Sequence, residues 1–284
     1  MQAALGMSLM LTRGESEAVR VALNRSLAIA EERGDAVTQL KLLGPLRMFH
    51  ARGADFKTAL HYAMRCSAVA RIIADPVAIT LTHSMLGGSL YFTGDLPGAR
   101  VELEAALRDG SGSRQTSSTY LGFGGHNIPG VTLAMTMWSL GFPNKAVEHA
   151  RQTIAEAASM DHPVTLSVVL IWGIFVFLWT GDLRSADEHV DWFVSRAQTY
   201  SMGPYLAVGR GFKGQLAILR GDAKNGVEAL LGCSPPWARP ASDQAEPAVA
   251  RGCGNRADGP VSSETLKILN RERPGARTRR TPHL

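Results

Sequence analysis

The chain has 284 residues, 45% hydrophobic and 19% charged, the composition of a folded soluble protein long enough to bury a substantial core. Its formal charge of +5 is concentrated at one end: residues 233–284 hold nine Lys and Arg against five Asp and Glu, which leaves 21 against 20 elsewhere. A nearly neutral body argues against a nucleic-acid-binding face, and three widely spaced cysteines, Cys66, Cys233 and Cys253, argue against a disulfide framework and against a zinc site.

The first residues, "MQAALGMSLMLTR", have no charged run ahead of an apolar one and no convincing cleavage site, so the reading is cytoplasmic. From there a repeat dominates. Gly14, Gly53, Gly94, Gly141, Gly181 and Gly221 are separated by 39, 41, 47, 40 and 40 residues, a period that marks a solenoid of helical hairpins. Before each glycine runs an apolar segment, helix A, such as Pro76–Phe92; after it runs an amphipathic one, helix B, such as Leu96–Leu107. Glycine suits the positive φ that ends helix A, and the neighbouring Asp95, Asp182 and Asp222 suit the cap of helix B. Asp75-Pro76, Pro163 and Pro204 supply starts for helix A.

Five residues past the glycine stand Ala99, Ala146, Ala186 and Gly226; seven before it stand Gly87, Ala134 and Gly214, with Ile174 the bulky exception. These paired small residues predict a close crossing of helices A and B. On that register Ala186→Leu overpacks a crossing, whereas Ser185→Leu, rotated about 100° around the helix, is expected to be close to neutral.

Between the third and fourth glycines lies an irregular stretch, Arg108–Gly130, which accounts for the 47-residue spacing. Arg114, Tyr120, Phe123 and His126 are its candidates for a ligand- or partner-contacting edge, a plain connector being the other reading. His149 and His189 each follow a glutamate at one repeat position, without an HExxH arrangement, and read as solvated or packing residues. Val164–Thr180, 17 uncharged residues, approaches the length of a membrane span, yet it occupies the register of helix A and reads as buried core. "GRGFKG", Gly209–Gly214, matches a dinucleotide fingerprint without its preceding strand, so its glycines read as packing positions inside a helix. No catalytic residue, cofactor or metal site is assigned.

Beyond Gly232 the apolar periodicity stops, and half of the chain's 14 prolines lie past Cys233, so a disordered tail is expected over 233–284. Both ends of the repeat array read as cut short.

In the third unit Leu86, Gly87, Gly94, Ala99, Leu103 and Ala106 resemble the tetratricopeptide pattern, although a period near 40 rather than about 34 calls for longer helices or loops. More narrowly, Gly141–Leu166, "FLWTGDL" and "PYLAVGRGFKGQLAILRGDA" resemble the C-terminal repeat region of large bacterial ATPase-type transcriptional regulators, which carry a winged-helix or cyclase-like domain ahead of a nucleotide-binding one. The resemblance covers residues 1–232. It implies an all-α, tetratricopeptide-like solenoid of five to six hairpins acting as a non-catalytic interaction or regulatory module. The implied partner is another protein or an intramolecular ATPase domain, with neither nucleic acid nor membrane contacted by this region. A small-molecule sensor binding in the solenoid groove, or a membrane anchor through 164–180, are the alternative functions.

Overall fold

The computed structural model describes residues 17–110, 127–160 and 162–231, which form eleven helices and no strand. They are α1 (Glu17–Glu32), α2 (Ala36–Arg52), α3 (Phe56–Ile73), α4 (Pro76–Thr93), α5 (Leu96–Gly110), α6 (Ile128–Ser139), α7 (Pro143–Ala158), α8 (Pro163–Thr180), α9 (Leu183–Thr199), α10 (Gly203–Leu219) and α11 (Ala223–Leu231). Helices α2, α4, α6, α8 and α10 are the A helices, and each pairs with the B helix that follows it. Helix α1 is a B helix ahead of the first complete hairpin. The residues 1–16, 111–126 and 232–284, including Gly14 and the proline-rich tail, lie outside the described residues.

The turns explain the period. A residue with positive φ stands at Gly34, Ala54, Ala74, Gly94, Gly141, Gly181, Ser201 and Gly221. Within each run of described helices these positions fall 20 residues apart. The repeating unit is therefore one helix plus one turn, and the 40-residue hairpin is two of them. Longer helices account for the excess over the tetratricopeptide period: α2–α4 and α8–α10 each have 17 or 18 residues. In seven of these turns the residue after the left-handed one donates its N–H to the carbonyl five residues back, as in Asp95 to Leu90 at 3.0 Å and Asp182 to Phe177 at 2.9 Å. That bond satisfies a carbonyl which the helix end would otherwise leave orphaned.

The same residue then caps the next helix. Carboxylates of Asp35, Asp55, Asp75, Asp95, Asp182 and Asp222 accept from the N–H of Thr38, Thr58, Val77, Gly98, Ser185 and Asn225 at 2.9 to 3.3 Å. Such a cap contributes about 1 kcal/mol. Hydrogen bonds from Thr38 and Thr58 hold the Asp35 and Asp55 carboxyls below the usual aspartate range.

One glycine is not where the spacing places it. Gly53 has φ −76° and Ala54, beside it, takes the left-handed conformation at φ 59°. The register of the first hairpin shifts by one, so that Arg47, not Leu46, occupies the position where the other A helices carry Gly87, Ala134, Ile174 and Gly214. The crossing itself is as tight as expected. A Cβ on Gly87 would lie 2.6 Å from Leu103 Cγ, and one on Gly226 would lie 2.6 Å from the Gly214 carbonyl oxygen. Ala134, Ala146, Ile174 and Ala186 are fully buried. Ser185 departs from expectation: it is buried too, because Arg151 of the preceding B helix reaches over to its hydroxyl at 3.1 Å and to Asp182 at 2.9 Å.

Helix α8 is the most apolar of the A helices, with ten residues buried, and it packs on α6, α7 and α9. It alone among the described helices is long and apolar enough to cross a membrane; its burial inside the stack is the role its register implied. Helix α4 packs on α6 and α6 on α8, whereas no described B helix packs comparably on the next B helix. From α4 to α8 the A helices therefore pack closer to one another than the B helices do.

Two outcomes check this register. Ala186→Leu should lower stability by about 1–3 kcal/mol, and Arg184→Leu, at an exposed position, should change it little; hydrogen exchange should show protection falling in α7 to α10 before α2. In the turns, Ala54→Gly removes a left-handed penalty of about 1–2 kcal/mol against a glycine entropy cost of about 0.5–1 kcal/mol, so thermal melting should shift upward. Gly94→Ala, with nothing near its Cβ position, should shift it downward.

Candidate binding face

Large aromatic side chains of the A helices α4, α6 and α8, joined by Phe56 at the start of the B helix α3, touch across hairpins. Phe56 of α3 stacks on Phe92 of α4 with ring centroids 5.0 Å apart, and Phe92 meets Trp172 of α8 edge-on at 6.4 Å, reaching past the intervening hairpin. Trp172 continues to Phe175 at 6.0 Å, Phe175 to Trp179 at 5.6 Å, and Trp179 to Trp138 of α6 at 4.8 Å. Beneath them Phe212 of α10 packs edge-on against Phe175 at 5.1 Å and is buried.

The row is not sealed. Phe92 is 40% and Trp138 37% exposed, and Phe56, Trp172, Phe175 and Trp179 are half-buried. Aromatic pairs of this geometry each contribute about 0.5–1.5 kcal/mol beyond area burial, so the row is held rigid while it presents ring faces and edges to solvent.

Two polar groups on other A helices stand in partly buried surroundings. Tyr205, half-buried on α10, has its phenol pushed up by burial, opposed by the positive charge of Arg52 at the end of α2. Arg47 is pushed below the usual arginine range by burial, and its Nε has no hydrogen-bond partner. Burial also pushes the nearby Cys66 thiol up to about 12, which makes it a packing residue rather than a nucleophile.

The remaining sequence candidates are placed as follows. Arg114, Tyr120, Phe123 and His126 lie outside the described residues. His189 accepts no catalytic geometry: its Nδ1 is 2.7 Å from the Ser185 carbonyl and its ring packs on Phe177 at 4.9 Å. Gly209, Gly211 and Gly214 fall within α10, where a Cβ on Gly209 would meet Val194 at 2.5 Å. No group of metal-binding side chains occurs among the described residues. A recess of about 350 Å³ beside α9 and α10 contains Lys213 paired with Asp191 and Arg220 paired with Asp187, both at 2.9 Å, so its charges already satisfy one another.

No family model and no curated protein matches the sequence. Solved structures do match in fold. The chain is similar to BtubC (BKLC) from P. vanneervenii, with a TM-score of 0.59 and 15% identity over 85% of this chain and 97% of that one. It is similar to a Rap protein complexed with Competence and Sporulation Factor, with a TM-score of 0.67 and 13% identity over 82% of this chain and 61% of that one. A signal transduction ATPase with numerous domains and a tetratricopeptide repeat sensor, from Pyrococcus horikoshii, gives 0.53 and 17% over 82% of this chain, which spans only 35% of that protein. The described helices thus form a tetratricopeptide-like α-solenoid.

Proposed function

We propose that the chain is a non-catalytic, protein-binding regulatory module that holds an extended segment of a partner on its A-helix face. The observation that carries this reading is the partly exposed row of six rings on four helices, since apolar surface of this kind left open on a folded array marks an interaction site, and tryptophan and tyrosine dominate binding energy where partners meet. The similarity to Rap, solved with a bound factor, and to an ATPase whose repeats are described as a sensor supports the same role. We further infer that this region is the sensing arm of a larger ATPase-type regulator in the cytoplasm, with residues 233–284 forming a separate tail.

Trp138, Trp172 and Trp179 lie in the row, so intrinsic fluorescence reports its occupation. Peptides selected on the full chain from a random displayed dodecapeptide library should change that fluorescence on binding. The Phe92→Ala/Trp138→Ala variant, which alters two exposed rings, should bind them about tenfold or more weakly with unchanged helical circular dichroism. Unaltered affinity in that variant would rule out the face as the site.

A further inference from the structure

We propose that the histidine capping α8 makes that helix acid-sensitive: neutral His162 holds its first turn closed, and protonation of the ring releases it. The inference goes beyond the binding face and does not depend on it.

Most helix starts in this stack are held by one kind of bond. Asp35, Asp55, Asp75, Asp95, Asp182 and Asp222 each accept a backbone N–H through a carboxylate, and an aspartate ordinarily stays ionised down to about pH 4. At α8 that place is taken by His162, whose Nδ1 accepts the N–H of Thr165 at 3.2 Å and lies 2.9 Å from the Thr165 hydroxyl. An imidazole nitrogen accepts a hydrogen bond only while it carries no proton. Once both ring nitrogens are protonated, the bond from the Thr165 N–H is lost, and a positive charge stands at the end of the helix where the backbone dipole is already positive. Both effects act against the first turn.

The other described histidines with a ring-nitrogen contact respond in the opposite sense or not at all. His50 Nδ1 lies 3.1 Å from Asp55 and His83 Nδ1 2.6 Å from Glu102, so a proton there completes an ion pair. His189 Nδ1 is 2.7 Å from the Ser185 carbonyl, an acceptor that a charged ring still serves. Around His162 nothing comparable offsets a charge. Helix α8 packs on α6, α7 and α9, and neither α6 nor α8 contains a charged residue. The charged and titratable groups at the neighbouring ends of the other two are Glu156 of α7, hydrogen-bonded by Gln152 at 3.0 Å, and Arg196 and Tyr200 at the end of α9, the guanidinium 5.2 Å from the ring. Among the described residues no carboxylate pairs with His162; Asp161 lies outside them. A histidine changes charge between about pH 5 and pH 8, so in that range α8 is the described helix whose side-chain cap is lost.

Amide hydrogen exchange of the full chain, read at about pH 7.5 and about pH 5.5, tests the cap. His162→Asn supplies an acceptor that does not titrate, and His162→Ala supplies none. His162 is exposed, so both variants leave the core untouched. Because each variant is compared with the wild type at the same pH, the intrinsic pH dependence of exchange cancels. Over Leu166 to Leu170 the wild type should exchange like His162→Asn at the higher pH and about fivefold or more faster than it at the lower one, reaching the rate of His162→Ala. The same comparison across α4, capped by Asp75, should stay flat. A wild type that already matches His162→Ala at the higher pH, or that matches His162→Asn at both, would overturn the proposal.

Discussion

An amide–carbonyl bond that reaches back five residues organises this stack. It forms only when one residue turns into the left-handed region, and the residue that donates it is already the cap of the following helix. Stopping one helix and starting the next is thus a single event three residues long, and successive helices have no slack with which to drift apart. Three non-glycine residues, Ala54, Ala74 and Ser201, accept the left-handed conformation although it costs them about 1–2 kcal/mol. The packing on either side of those turns outweighs the strain.

Much of this was legible in the letters. Gly-Asp pairs announce both halves of the turn chemically, and the small residues around them announce the crossing. An alanine carries no mark of left-handed geometry, however, so Ala54 and Ala74 hid the 20-residue module beneath its 40-residue double. Anchoring the first turn on Gly53 instead of Ala54 likewise displaces the register of that hairpin by one residue. Ser185 was misjudged for a different reason: rotation around its own helix says nothing about Arg151, which arrives from the neighbouring hairpin.

The binding face was harder to see. A helix such as α8, apolar all round with a mean hydropathy of 2.0 over its length, offers no polar stripe from which to deduce the open side. Which of its rings are exposed depends on curvature, and curvature comes from the A helices packing on one another while the B helices spread apart. Nothing in the apolar A segments marks Phe92 and Trp138 as the rings that the fold leaves exposed. The four residues chosen from the irregular stretch before α6 lie outside the described residues.

The 20-residue module also governs how such a chain can change length. Loss of one residue within α8 would rotate everything beyond it by about 100°, carrying Trp172, Phe175 and Trp179 out of line with Phe92 and Trp138. Loss of a whole module would keep the angle but exchange inside for outside, setting an acidic helix where an apolar one belongs. Drift in length is consequently admissible only in complete pairs or between helices. The one irregularity in the series, 47 residues from Gly94 to Gly141 instead of 40, falls between the end of α5 and the start of α6, where it alters neither the Gly87–Leu103 approach nor the buried Ala134 and Ala146.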